Sequence, residues 1–125
     1  MTHRRSRPLV YSCSGCSSAA QMTNAVAIRL DREGDAEMSC IAGVGGGVKS
    51  LTRKAQSGRR ILAIDGCRLQ CVKACLSQAG VTADEHIVLG ELGVKKRYQA
   101  DFDPTEADKV FNEARNAARR LQGGD

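Results

Sequence analysis

The chain has 125 residues, 42% hydrophobic and 26% charged, with a net charge of +5 at neutral pH. That length suits one domain with its own core, and no apolar run is long enough for a membrane span. With two Tyr, two Phe and no Trp, the core must be built from aliphatic side chains, Met and Ala. The positive residues fall in small scattered groups (residues 4–7, 95–97 and 119–120) with no interleaved aromatics. A solvated surface accounts for them better than a nucleic-acid interface does.

The basic start, residues 1–7, has no apolar segment behind it, so it reads as a tail and not as a signal peptide; Arg4-Arg5 lacks the context of a twin-arginine signal. Residues 8–12 form a first strand that runs into Cys13-Ser-Gly-Cys16. Ser17 or Ser18 is a good N-cap, and Met22, Ala25, Val26 and Leu30 recur at helical spacing until Glu33-Gly34-Asp35 stops the helix. Residues 37–42 read as a second strand with Cys40 near its end, and the glycine-rich run 43–47 reads as a turn before a second helix at 48–56. That run nearly matches a phosphate-binding loop, but Val48 stands where the pattern needs glycine before the Lys.

Residues 61–65 are a short apolar run ending in Asp65-Gly66, a buried strand and tight turn. Cys67, Cys71 and Cys75 then recur every fourth residue, which predicts a helix over 68–78 with Cys67 at its N-terminus. There a helix dipole favours a thiolate. Residues 85–92 hold a fourth strand around Ile87-Val88-Leu89. Asp103, Pro104 and Glu106 open a last helix whose apolar face carries Val110, Phe111, Ala114, Ala118 and Leu121. Residues 122–125 read as a frayed end.

Strands alternating with helices predict an α/β fold: one three-layer domain over 1–125, a four-stranded, mostly parallel sheet in order 2-1-3-4, and helices on both faces. In such a sheet the turns leaving the strands share one edge, where ligands bind. Adjacent strands lie about 4.8 Å apart, so cysteines distant in sequence converge. Cys13 and Cys16 leave strand one, Cys40 ends strand two, and Cys67 and Cys71 follow strand three.

The Cys-x-x-Cys spacing of Cys13 and Cys16 lets both sulfurs grip one ion. Cys67 and Cys71, one helical turn apart, could share the same ion, and Cys40 brings the candidates to five for four tetrahedral positions. Thiolate-rich sets select zinc or an iron–sulfur cluster. Cys75, a turn further on, reads as a packed core thiol. Asp65 reads either as an acceptor orienting the thiol-bearing turn or as plain turn chemistry. His3 and His86 read as solvated or structural.

Ile64-Asp65-Gly66-Cys67 with Cys71, the early Tyr11-Ser-Cys-Ser-Gly-Cys16 and the middle Met38-Ser-Cys40-Ile-Ala-Gly together resemble the DGC-domain family, named for its tripeptide. The resemblance spans residues 9–121 and implies a zinc-binding protein with a four-cysteine site. Carried over by motif, the four are Cys13, Cys40, Cys67 and Cys71, with Cys16 an additional thiol.

These observations lead to a small cytoplasmic, metal-binding protein, with zinc held by thiolates at the carboxyl edge of the sheet. The alternative is a thiol–disulfide or sulfur-handling enzyme in which Cys13 attacks and Cys16 or Cys67 resolves. A blander option is an adaptor domain whose cysteines only pack.

Overall fold

The computed structural model describes residues 7–122. His3, the basic residues before Arg7 and the terminal residues 123–125 lie outside the described residues. The chain runs β1 (Leu9–Ser12), α1 (Ser18–Arg32), β2 (Glu37–Met38), α2 (Ile41–Gly45), α3 (Lys49–Ala55), β3 (Ile61–Asp65), α4 (Cys71–Gln78), β4 (Glu85–Val88), a 3-10 turn (Leu89–Leu92) and α5 (Pro104–Leu121). The sheet has the order β2-β1-β3-β4 and every pair in it is parallel.

Alternation along the strands makes the three layers. Val10, Leu62 and Ile64 face α1 and α5, packing on Met22, Val26, Leu30 and Phe111. Their neighbours Leu9, Tyr11, Ile61 and Ala63 point to the opposite face, where Val44 of α2, Ala55 of α3 and Val72 and Leu76 of α4 cover them. The strands are therefore apolar on both sides, and all of β1 and β3 is buried. At about 25 cal/mol per Å² of apolar surface removed from water, these two clusters, each mainly aliphatic around one fully buried aromatic (Phe111 or Tyr11), are the main source of stability.

The helix starts follow from their caps. Ser17 Oγ accepts from Ala20 N at 3.1 Å to open α1, and Asp103 Oδ1 accepts from Thr105 N at 2.9 Å with Pro104 just inside α5. Gln122 is anchored, not frayed: its Nε2 donates to Asp35 O at 2.7 Å.

Three expectations are corrected. The second strand is only two residues long, because Cys40 already caps α2, its Sγ accepting from Gly43 N at 3.4 Å. The glycine run is therefore largely helix and not an open turn, with α3 following after Gly46-Gly47-Val48. Its glycines make room for neighbours: a Cβ on Gly43 would lie 2.0 Å from Leu51 Cδ1, and one on Gly45 would lie 2.8 Å from Cys75 Sγ. Finally, α4 begins at Cys71, not Arg68, because Gln70 adopts a left-handed conformation (φ 54°) that breaks the helix there.

Candidate functional site

Each of the first three strands ends in a cysteine-bearing turn at the carboxyl edge of the sheet. Cys13 extends the β1–β3 ladder, its N–H donating to Ile64 O at 3.1 Å. Its half-buried sulfur accepts from Gly66 N at 3.2 Å and lies 3.2 Å from Thr23 Oγ1. Burial pushes the Cys13 thiol above its ordinary pKa; the bonds to Thr23 and Gly66 oppose this, and the nearby charges of Asp65 and Cys71 add to it.

Gly66 has a packing reason. A Cβ there would lie 3.0 Å from the backbone carbon of Ala19 at the start of α1. The Asp-Gly-Cys turn thus lies directly against that helix, which lets the Gly66 amide reach Cys13.

Asp65 is 1% exposed and fully employed. Oδ1 accepts from Val72 N at 2.8 Å, and Oδ2 accepts from Lys73 N at 3.3 Å. The carboxylate therefore supplies the anionic cap of α4 that Gln70 does not. His86 Nε2 lies 2.8 Å from Oδ2 and donates to it, since an ionised carboxylate only accepts. His86 is thus closer to the cysteine edge than its place at the start of a strand suggests. The parallel register sets it beside the small Ala63, two residues before Asp65.

The remaining thiols differ in setting. Cys16 and Cys40 are exposed, as is Cys71 at the first position of α4. Because Cys67 lies in the turn before α4, it and Cys71 are not on successive turns of one helix, contrary to the spacing argument. Cys67 is half-buried, with Lys96 Nζ 3.7 Å from its sulfur. Cys75 is not a core thiol: it is partly exposed and packs against Gly45 of α2. Burial, then the charges of Cys71 and Asp65, push its thiol up. All six cysteines are free.

The connection over residues 95–103 crosses this edge. Ser18 N donates to Arg97 O at 2.8 Å and Arg97 N donates to Ser18 Oγ at 2.9 Å, pinning it to the start of α1. Lys96 is thereby held beside Cys67, and over the ring of Tyr98 at 5.1 Å. Under it lies a cavity of about 620 Å³ whose lining includes Cys67, Arg68, Leu69, Glu91, Lys96 and Tyr98. Sequence reading missed this connection as part of the site. The short Lys95-Lys96-Arg97 run was its only signal.

A family model for the DGC domain matches residues 9–114, which contain all six cysteines. The chain belongs to the DGC-domain family. It is also 57% identical over 106 residues to the anaerobic and virulence modulator AnvM of Pseudomonas aeruginosa, a match covering 85% of this chain and 81% of that protein. No solved structure matches. The tripeptide that gives the DGC domain its name is accounted for residue by residue here: Asp65 caps α4, Gly66 clears α1, and Cys67 opens onto the cavity. Among the described residues of this DGC domain, no three His, Cys, Asp or Glu side chains stand together in a group able to hold an ion in this conformation. Among the described residues, no helix is long and apolar enough to cross a membrane.

Proposed function

We propose that this chain is a regulatory metal-binding protein whose sheet-edge thiolates hold zinc. The observation that carries the reading is the sheet order. Parallel β2, β1 and β3 are neighbours, and the turns that follow them carry Cys40, Cys13 and the pair Cys67 and Cys71 to one edge. Cys16 is a fifth candidate on the β1 turn. The donor set suits a thiophilic ion: sulfur ligands select zinc or an iron–sulfur cluster over hard cations. Cys13 Sγ and Cys40 Sγ each already accept a backbone N–H, from Gly66 and Gly43, the outer contacts that stabilise a ligating thiolate. Cys71 is exposed, so its side chain is free to turn toward a bound ion.

A regulatory role fits better than catalysis. Asp65, the one nearby acid considered as a base, is occupied by Val72, Lys73 and His86. The relative's designation as a modulator points the same way. A cytoplasmic setting keeps the thiols reduced and competent to bind. The thiol–disulfide alternative with Cys13 attacking is weaker, because the Cys13 sulfur is half-buried and already engaged by Gly66 N and Thr23, which limits the access a disulfide needs.

Titration of reduced, metal-free chain with cobalt(II) tests the reading. Thiolate-to-cobalt charge-transfer absorption should saturate near one ion per chain. Serine at Cys13, Cys40, Cys67 or Cys71 should weaken binding by at least the roughly 10- to 100-fold that losing an outer-shell partner costs. Cys75→Ser should leave it unchanged, and Cys16→Ser decides the fifth thiol. Absence of thiolate–cobalt absorption overturns the proposal.

A further inference from the structure

The cavity beside Cys67 has features that metal binding does not use. Its volume, about 620 Å³, lies in the range of small-molecule sites. Arg68 and Lys96 outnumber Glu91 among its charged lining residues, so it favours an anion. Two of its walls, Leu69 and Tyr98, are large apolar side chains left 67% and 64% exposed. Lys96 Nζ sits 3.7 Å from Cys67 Sγ, so a group held on that sulfur lies within reach of its ammonium.

From this we infer that the cavity takes a carboxylate-bearing, low-molecular-weight disulfide and retains half of it as a mixed disulfide on Cys67. The Cys67 thiolate attacks one sulfur of R–S–S–R. The Cys67–S–S–R bond forms as the original S–S bond breaks, and R–S⁻ leaves with the electron pair and takes a proton from water. Cys67 is oxidised and the departing half reduced, so no other oxidant is needed. Lys96 and Arg68 then pair with the carboxylate of the retained half, while Leu69 and Tyr98 cover its carbon skeleton. The inference does not depend on which sulfurs hold a metal. If Cys67 is one of them, the small disulfide and the ion compete for the same sulfur.

The test exposes the full reduced chain, before and after chelation, to oxidised glutathione, to the uncharged bis(2-hydroxyethyl) disulfide and to the cationic cystamine. Intact mass and peptide mapping follow the adducts, and metal content is read on the same samples, so adduct without zinc and zinc without adduct are separate results. Cys67 should be the fastest-modified thiol after chelation, and oxidised glutathione should react there about tenfold faster than the uncharged disulfide. Lys96→Gln should bring that ratio close to one, and Lys96→Arg should restore it. The inference fails if Cys16, Cys40 and Cys71 are modified as fast as Cys67. It fails equally if cystamine matches glutathione at Cys67, or if Lys96→Gln leaves the charge preference intact.

Discussion

His86 Nε2 lies 2.8 Å from Asp65 Oδ2, joining the start of β4 to the end of β3 across the face that α4 covers. Asp65 in turn receives the Val72 and Lys73 amides. One buried carboxylate therefore fixes where α4, and with it Cys71, begins. Asp65→Ala strands these donors and should cost about 2–3 kcal/mol, whereas His86→Ala removes one partly exposed donor and should cost about 1 kcal/mol. Urea denaturation of the two variants at neutral pH checks the order.

Gly66 is the second constraint on that turn. Its place against the Ala19 backbone leaves no flexible side-chain end to move aside. Gly66→Ala should destabilise the fold by about 1–3 kcal/mol and shift the amide that bonds Cys13. Denaturation midpoints measure the first effect. The amide shift of residue 66 in a nitrogen–proton correlation spectrum reports the second.

Glu37 supplies a pH signature. The Lys54 ammonium bonded to it, with Arg59 adding to the effect against the cost of burial, lowers its carboxyl from 4.5 to about 2. Its folded pKa is below its unfolded one. The contribution is therefore complete above pH 4.5 and is lost as pH falls from there toward 2. Glu37→Gln should cost about 1–2 kcal/mol at pH 7, allowing for solvent screening of these partly exposed groups. The gap between variant and parent should narrow steadily below pH 4.5, as read by urea denaturation at stepped pH.

The cysteines should also separate by reactivity in metal-free chain. Cys13 is half-buried with its thiol raised, while Cys16, Cys40 and Cys71 are exposed. Alkylation by iodoacetamide at pH 7, mapped by peptide, should reach Cys13 well after those three. Early labelling of Cys13 would favour the thiol–disulfide enzyme instead.

Much of this architecture was legible in the sequence. Parallel pairing and layering follow from apolar runs at residues 8–12 and 61–65 separated by helical periodicity, because parallel strands buried on both faces leave that trace; the order β2-β1-β3-β4 is one of several that such alternation allows, and the structure has it. The DGC motifs identify the cysteine edge. What escaped depends on contacts between residues far apart in the chain. The start of α4 is set by a carboxylate six residues upstream and by a left-handed Gln70, not by a local cap. His86 reaches Asp65 only because the register puts it beside Ala63. Cys40 reads as the end of a strand until its sulfur is seen to cap α2. The four-residue spacing of Cys67 and Cys71 suggests a shared helix that the turn over residues 66–70 denies.

The central claim is that sheet-edge thiolates bind a metal, and its most direct test is the metal content of chain purified anaerobically without a metal-affinity tag, with thiols titrated on the same sample. The account predicts about one zinc per chain and about four thiols that stay protected until a chelator is added. Iron with labile sulfide would keep the thiolate site and replace zinc by a cluster. Chain free of metal, with every exposed thiol reacting at once and no change on adding chelator, would contradict it.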